Sequence, residues 1–168
     1  VHKGIDFLAR FSIGDAEYAL GVDVTTSDKK LNDKFGKIQR LLEQGEATAL
    51  YEVANGPVAF RVVVGISSAH MREVLRAWCK DGERIEAYDE ANAMLAACIR
   101  EQIIVQLTEF KKYAESTGTP KALALANSYG AMLEAMSKWV VREPKDNPLK
   151  ADPLHQAILK SARGLMRP

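Results

Sequence analysis

Apolar and polar residues alternate over residues 5–13. Ile5, Phe7, Ala9, Phe11 and Ile13 fall on one face, and Asp6, Leu8, Arg10 and Ser12 on the other. That is the period of a β-strand. Gly14-Asp15 supplies a turn, and alternation resumes over 18–26, with Tyr18, Leu20, Val22, Val24 and Thr26 on one side. Two such runs around a glycine turn predict an antiparallel hairpin. The period then changes. Leu31, Phe35, Ile38, Leu41 and Leu42 recur at helical spacing, and Lys30, Lys34 and Lys37 form an adjoining stripe. Ser27 is the expected N-cap, Asp28 sits in the first turn, and Gly45 is the expected stop.

Residues 47–53 read as a short strand or a loop, followed by an Asn55-Gly56-Pro57 turn. Residues 58–67 carry the strongest strand pattern in the chain. Their Val62-Val63-Val64 run is apolar on both faces, which predicts a central, doubly covered strand. A helix is expected over 69–80, capped by Ser67 or Ser68. Beyond residue 83 the pattern is helical throughout: 83–116, then 120–141 with Thr119 as cap and Pro120 at its first position, then about 153–166 after the Glu143–Pro148 loop. The expected fold is an α/β core over residues 1–82 with a C-terminal all-helical extension over 83–168, packed on the core.

Composition adds little. The chain has 168 residues, 47% hydrophobic and 27% charged, with net charge +1, so a nucleic-acid surface must be a local patch. Cys79 and Cys98 form no metal-binding spacing and read as buried free thiols, in keeping with a cytoplasmic location. No apolar run is long enough to span a membrane, and no signal peptide is visible. Phosphate-binding glycine loops and the nucleophile elbow of serine hydrolases are absent from the sequence. Tyr113, Trp78 and Trp139 read as packing aromatics and His70 as a helix-surface residue.

The chemistry rests on two aspartates in otherwise apolar strands, Asp6 and Asp23. Aspartate is depleted in strands. Side chains on one face of facing strands come within roughly 5 Å of each other. Carboxylates that close raise each other's proton affinity unless a cation lies between them. A hard divalent ion takes such oxygens together with substrate phosphate. A nearby lysine would stabilise the charge that develops on a phosphodiester. The plainer alternatives are an outward-facing Asp6 on a half-solvated sheet and a lysine stripe that is simply a solvated helix face.

Gly4-Ile5-Asp6 in the first strand and Asp23-Val24-Thr25 in the second, then a helix and a hydrophobic strand, resemble the PD-(D/E)XK nuclease core over roughly residues 4–80. The resemblance implies a restriction-endonuclease-like fold with a mixed central sheet and Mg²⁺- or Mn²⁺-dependent DNA cleavage. Asp6 and Asp23 would hold the metal. Thr25 stands where the family has its lysine. Some members supply that lysine from the following helix, and Lys34 is the candidate here, with Thr25 supporting the site. The family's acidic residue on a preceding helix would lie before Val1. Arg72, Arg76, Lys80 and Arg84 would contact the DNA backbone, and the C-terminal helices would offer a dimer surface. The competing expectation is a non-enzymatic scaffold whose C-terminal helices bind a protein partner. Convergence of Asp6, Asp23 and Lys34 at one end of the sheet would discriminate between the two.

Overall fold

A computed structural model describes residues 5–13, 15–46, 59–80 and 85–165, with side chains left aside at 11, 13, 77–80 and 85–88. The expected strand or loop at 47–53 and the Asn55-Gly56-Pro57 turn lie outside these residues, as does Arg84. Three strands, β1 (Phe7–Ile13), β2 (Ala16–Thr25) and β3 (Ala59–Gly65), form a sheet in the order β1-β2-β3. β1 pairs antiparallel with β2, and β2 parallel with β3. Parallel neighbours need a crossover, and α1 (Leu31–Glu43) lies within it.

The local signals act as expected around α1. Ser27 Oγ accepts the Lys29 N–H at 3.3 Å and starts a 3-10 turn over Asp28–Lys30. α1 buries Leu31, Phe35, Ile38 and Leu42. Gly45, at φ 66°, takes the left-handed conformation that ends the helix. The remaining helices are α2 (Ser68–Lys80), α3 (Ile85–Thr117), α4 (Pro120–Lys138) and α5 (Pro153–Gly164). Thr119 caps α4 by accepting the Ala122 N–H. The mixed sheet and the helices after it bear out an α/β core with a helical extension. Among the described residues no helix is long and apolar enough to cross a membrane.

β3 departs from expectation in an informative way. Its apolar run predicts a central strand, yet it is the outer strand of the described sheet, with all seven residues buried. The explanation lies on α3. Gln106 accepts the Val63 N–H at 2.8 Å and donates to the Val63 carbonyl at 2.7 Å. Gln102 does the same for Gly65, at 3.0 and 2.8 Å. Each side-chain amide stands in for the peptide group of a missing neighbour strand. The spacing suits the task. Four residues advance about 6 Å along a helix, and two residues advance about 6.6 Å along a strand. The two helix positions therefore match alternate strand residues, whose polar groups face the same edge. Gly65 is needed for a second reason: a Cβ there would run into the Thr25 carbonyl of the neighbouring strand.

α1 covers the sheet face that carries Gly21, Asp23 and Arg61, and α5 packs against α1, α3 and β3. On the opposite face Tyr129 of α4 packs on Phe60 at 4.9 Å and on Phe110 of α3 at 6.0 Å. One hydrophobic cluster includes Leu20, Val22, Phe35, Val62, Leu107, Tyr129 and Ile158, so the core draws on both sides of residue 83. Cys98 is buried and free, and burial pushes its thiol up to about 11.

Replacing Gln106 by leucine would keep its bulk but strand one buried N–H and one buried C=O. Each such group costs about 1–3 kcal/mol. Gln106→Leu is therefore expected to lower the unfolding free energy by about 2 kcal/mol or more, read as a shift in urea midpoint at unchanged slope. A midpoint within error of wild type would show that the edge does not depend on this amide.

Candidate active site

β1 and β2 bring the two aspartates together. Asp6 stands immediately before β1, whose first paired residue is Phe7 opposite Val22, the residue next to Asp23. The Asp6 N–H bonds the Val22 carbonyl at 2.9 Å, and Asp6 Oδ2 accepts the Val24 N–H at 2.6 Å. Asp6 is exposed, whereas Asp23 is 3% exposed.

Two cations meet Asp23. Lys34, one turn into α1, donates from Nζ to Asp23 Oδ1 and also reaches the Val24 carbonyl at 3.2 Å. Arg61 of β3 donates to Asp23 Oδ2 at 3.0 Å. Arg61 is itself only 4% exposed. Burial pulls Lys34 and Arg61 below their ordinary values, and the Asp6 carboxylate opposes that pull at both. At Lys34 the neighbouring charges of Arg61 and Lys37 add to the lowering. Asp6, Asp23, Lys34 and Arg61 are thus one electrostatic unit of two negative and two positive charges. Mutual pairing is what permits charge in a sheet interior, where an isolated ion would be strongly disfavoured.

Of the residues expected from sequence, Asp6, Asp23 and Lys34 converge. Thr25 does not join them. Its hydroxyl donates to the Ser27 carbonyl at 2.7 Å and accepts the Ser27 N–H, shaping the turn from β2 into α1. Lys30 and Lys37 are exposed, so Lys34 alone of its stripe turns inward. Arg72 and Arg76 are exposed on α2. The residue that sequence reasoning missed is Arg61. Its signal was the same as that of Asp23: a lone charge inside the most apolar strand.

A second polar cluster also looks like chemistry. Asp152 Oδ2 receives Ser67 Oγ and His70 Nδ1, each at 2.5 Å. The same carboxylate accepts the N–H groups of Ser67, Leu154 and His155. Serine, histidine and aspartate are all present, but the carboxylate is the hub, and the serine hydroxyl is bonded to it. A nucleophilic serine needs its hydroxyl on the histidine. The cluster instead caps α5 and fastens it to the β3–α2 corner, so His70 is not a plain surface residue. Nearby, the buried His155 accepts from Gln102 through Nδ1 at 2.9 Å. Burial lowers its pKa while Glu101 opposes, in keeping with a neutral ring.

No family model matches this chain, and no curated protein and no solved structure is significantly similar to it.

Two measurements check this reading of the charges. Asp23→Ala would leave Lys34 and Arg61 without their buried partner, a loss of about 3–5 kcal/mol. Asp6→Ala, at an exposed position, should cost only about 1 kcal/mol for one hydrogen bond. Urea unfolding of the two variants orders them, and equal costs would contradict the burial described. At Asp152, burial favours the neutral acid, but the bonds from Ser67, His70 and the backbone outweigh it and hold the carboxyl at about 2. A depressed carboxyl stabilises the fold above its unfolded pKa and loses that contribution as pH falls through its folded one. Wild type should therefore lose on the order of 2 kcal/mol between about pH 4 and pH 2 that Asp152→Asn does not lose, measured by urea unfolding at stepped pH.

Proposed function

We propose that the chain is a metal-dependent nuclease of the restriction-endonuclease-like class, with Asp6, Asp23 and Lys34 as its working residues and DNA as its substrate. The observation that carries this reading is the convergence of those three side chains at one end of the hairpin. A scaffold protein has no need to bring them together, since burying charge is costly. An aspartate and a lysine drawn from separate elements, both largely buried and adjacent to an exposed second carboxylate, form the kind of perturbed cluster that marks active sites.

The donor set suits a hard cation such as Mg²⁺ or Mn²⁺. Asp6, Asp23 and the Val24 carbonyl supply oxygen only, and the Lys34 ammonium already takes a cation's place between Asp23 Oδ1 and the Val24 oxygen. Arg61 holds Asp23 Oδ2, which leaves Oδ1 as the oxygen that faces the site. When bound, the metal would polarise the phosphodiester and lower the pKa of a water molecule. The protein's own part is positional and electrostatic. Arg61 fixes the Asp23 carboxylate from behind. Asp6, anchored on the Val24 N–H, presents its charge at the open side. Lys34, beside Asp23 and the Val24 carbonyl, would be the residue to hold a non-bridging phosphate oxygen as charge develops on it. Its lowered pKa also brings it closer to exchanging a proton with the attacking water.

Asp23→Ala is a poor test because it perturbs the fold. Asp6→Asn and Lys34→Gln are better. Plasmid and single-stranded DNA should be cut by wild type with Mg²⁺ or Mn²⁺ and not with EDTA. Each variant should cut about 100-fold or more slowly while still unfolding cooperatively, and the unfolding midpoint of Asp6→Asn should be little changed. Undiminished cleavage by Asp6→Asn, or no metal-dependent cleavage by wild type, would overturn the proposal.

A further inference from the structure

On the sheet face opposite Asp23 lies an apolar cleft of about 580 Å³, between β1 and the α3–α4 pair. Two large aromatics line it and stand open to solvent. Phe7 is 50% exposed and Trp139 is 39% exposed, although the sequence reads Trp139 as a packing residue. Lys138 shares the lining, Arg10 joins it from the β1 edge with its side chain alternating toward the other sheet face, and no acidic residue does among those described. Lys138 also lies 3.6 Å from Glu134, an exposed i,i+4 pair of little strength. Trp139 is held in place. Arg100 Nε donates to its carbonyl at 2.9 Å, and the same guanidinium reaches the Met136 carbonyl at 3.5 Å. An exposed tryptophan whose backbone is clamped by a separate side chain is preorganised for contact.

We infer that this cleft binds unpaired bases of single-stranded DNA. Aromatic faces stack any base, and flanking cations take the phosphates; that pairing of features is how proteins hold single strands. The charged residues at this apolar cleft are both cations, which complements a polyanion with flat apolar bases. The position deepens the nuclease reading, on which the path of the strand rests. Phe7, the first residue of β1, directly follows Asp6, so the cleft begins one residue from the charged cluster. β1 is the outer strand on that side of the described sheet. A strand bent round this edge would set a phosphate beside Asp6 and its neighbouring bases in the cleft, so the substrate would be DNA with unpaired nucleotides.

The test is fluorescence anisotropy with labelled single-stranded DNA, duplex DNA and single-stranded RNA, using the full chain in EDTA so that nothing is cut. Wild type should bind single-stranded DNA more tightly than duplex. Trp139→Ala and Phe7→Ala should each weaken it about 5- to 100-fold, and Trp139→Phe should restore most of the loss. Lys138→Gln should reduce the slope of log affinity against log salt by about 0.7. Aromatic variants that bind like wild type, duplex or RNA bound more tightly than single-stranded DNA, or a cleft that serves only self-association by size-exclusion chromatography would each overturn the inference. Aromatic-dependent binding without metal-dependent cleavage would sink the nuclease reading alone. Cleavage with aromatic-independent binding would sink this one alone.

Discussion

Backbone hydrogen bonding at the edge of β3 is the constraint on which the rest of the structure depends. A strand with no polar side chain but Arg61 can be buried on both faces only if its outer N–H and C=O groups are paired. The described sheet has no strand to offer on that side. Gln102 and Gln106 resolve the problem with two bidentate amides, and in doing so they dictate where α3 runs. Its axis must follow β3 at hydrogen-bonding distance. With α3 placed, α4 is carried over one face of the sheet and α5 is set against the other. The helical half of the chain is thus bound to the strand half by polar matching as well as by hydrophobic packing. Such matching specifies register in a way that apolar contact does not.

The charged cluster at the end of the hairpin is arranged differently. There the polar groups satisfy one another, and they cost the fold something to keep. Buried ion groups are weak contributors to stability compared with apolar residues of the same size. A sheet that needed only to be stable could hold four apolar residues at these places. The presence of two carboxylates, a lysine and an arginine at one spot, with Asp6 exposed to solvent, is the physical reason for looking to chemistry. Arg61 has a particular place in it. By occupying one oxygen of Asp23 it fixes the orientation of the other, so the geometry of the site is set from the core outward.

Much of this was legible in the sequence. The hairpin, α1 with its Ser27 cap and Gly45 stop, and the Thr119-Pro120 start of α4 all follow from local physics, and the structure agrees with them. Asp6, Asp23 and Lys34 were found because charge in a β-strand, and lysine at helical spacing after it, are local signals. What the sequence hid was non-local. Nothing near Val62-Val63-Val64 announces that its outer edge is closed by glutamines some 40 residues later. An all-apolar strand reads as central because its covering is assumed to be another strand. The Asp152 hub is equally non-local, because Ser67 and His70 are distant from it in sequence. Trp139 looked like core, because its exposure depends on how α4 ends and not on its own periodicity.

The Asp152 hub has a consequence for the order in which the molecule can be completed. It joins Ser67 to a residue 85 positions further along, and Gln106 joins Val63 to one 43 positions further. Both contacts fasten the same corner of the sheet. During synthesis from the N-terminus, the most apolar strand of the chain emerges well before either of its fasteners. Contacts of that sequence separation close large loops and form late. The strand half therefore waits, with a hydrophobic edge open, for the helical half to arrive. The corner between β3 and α2 is shut only when the start of α5 reaches it.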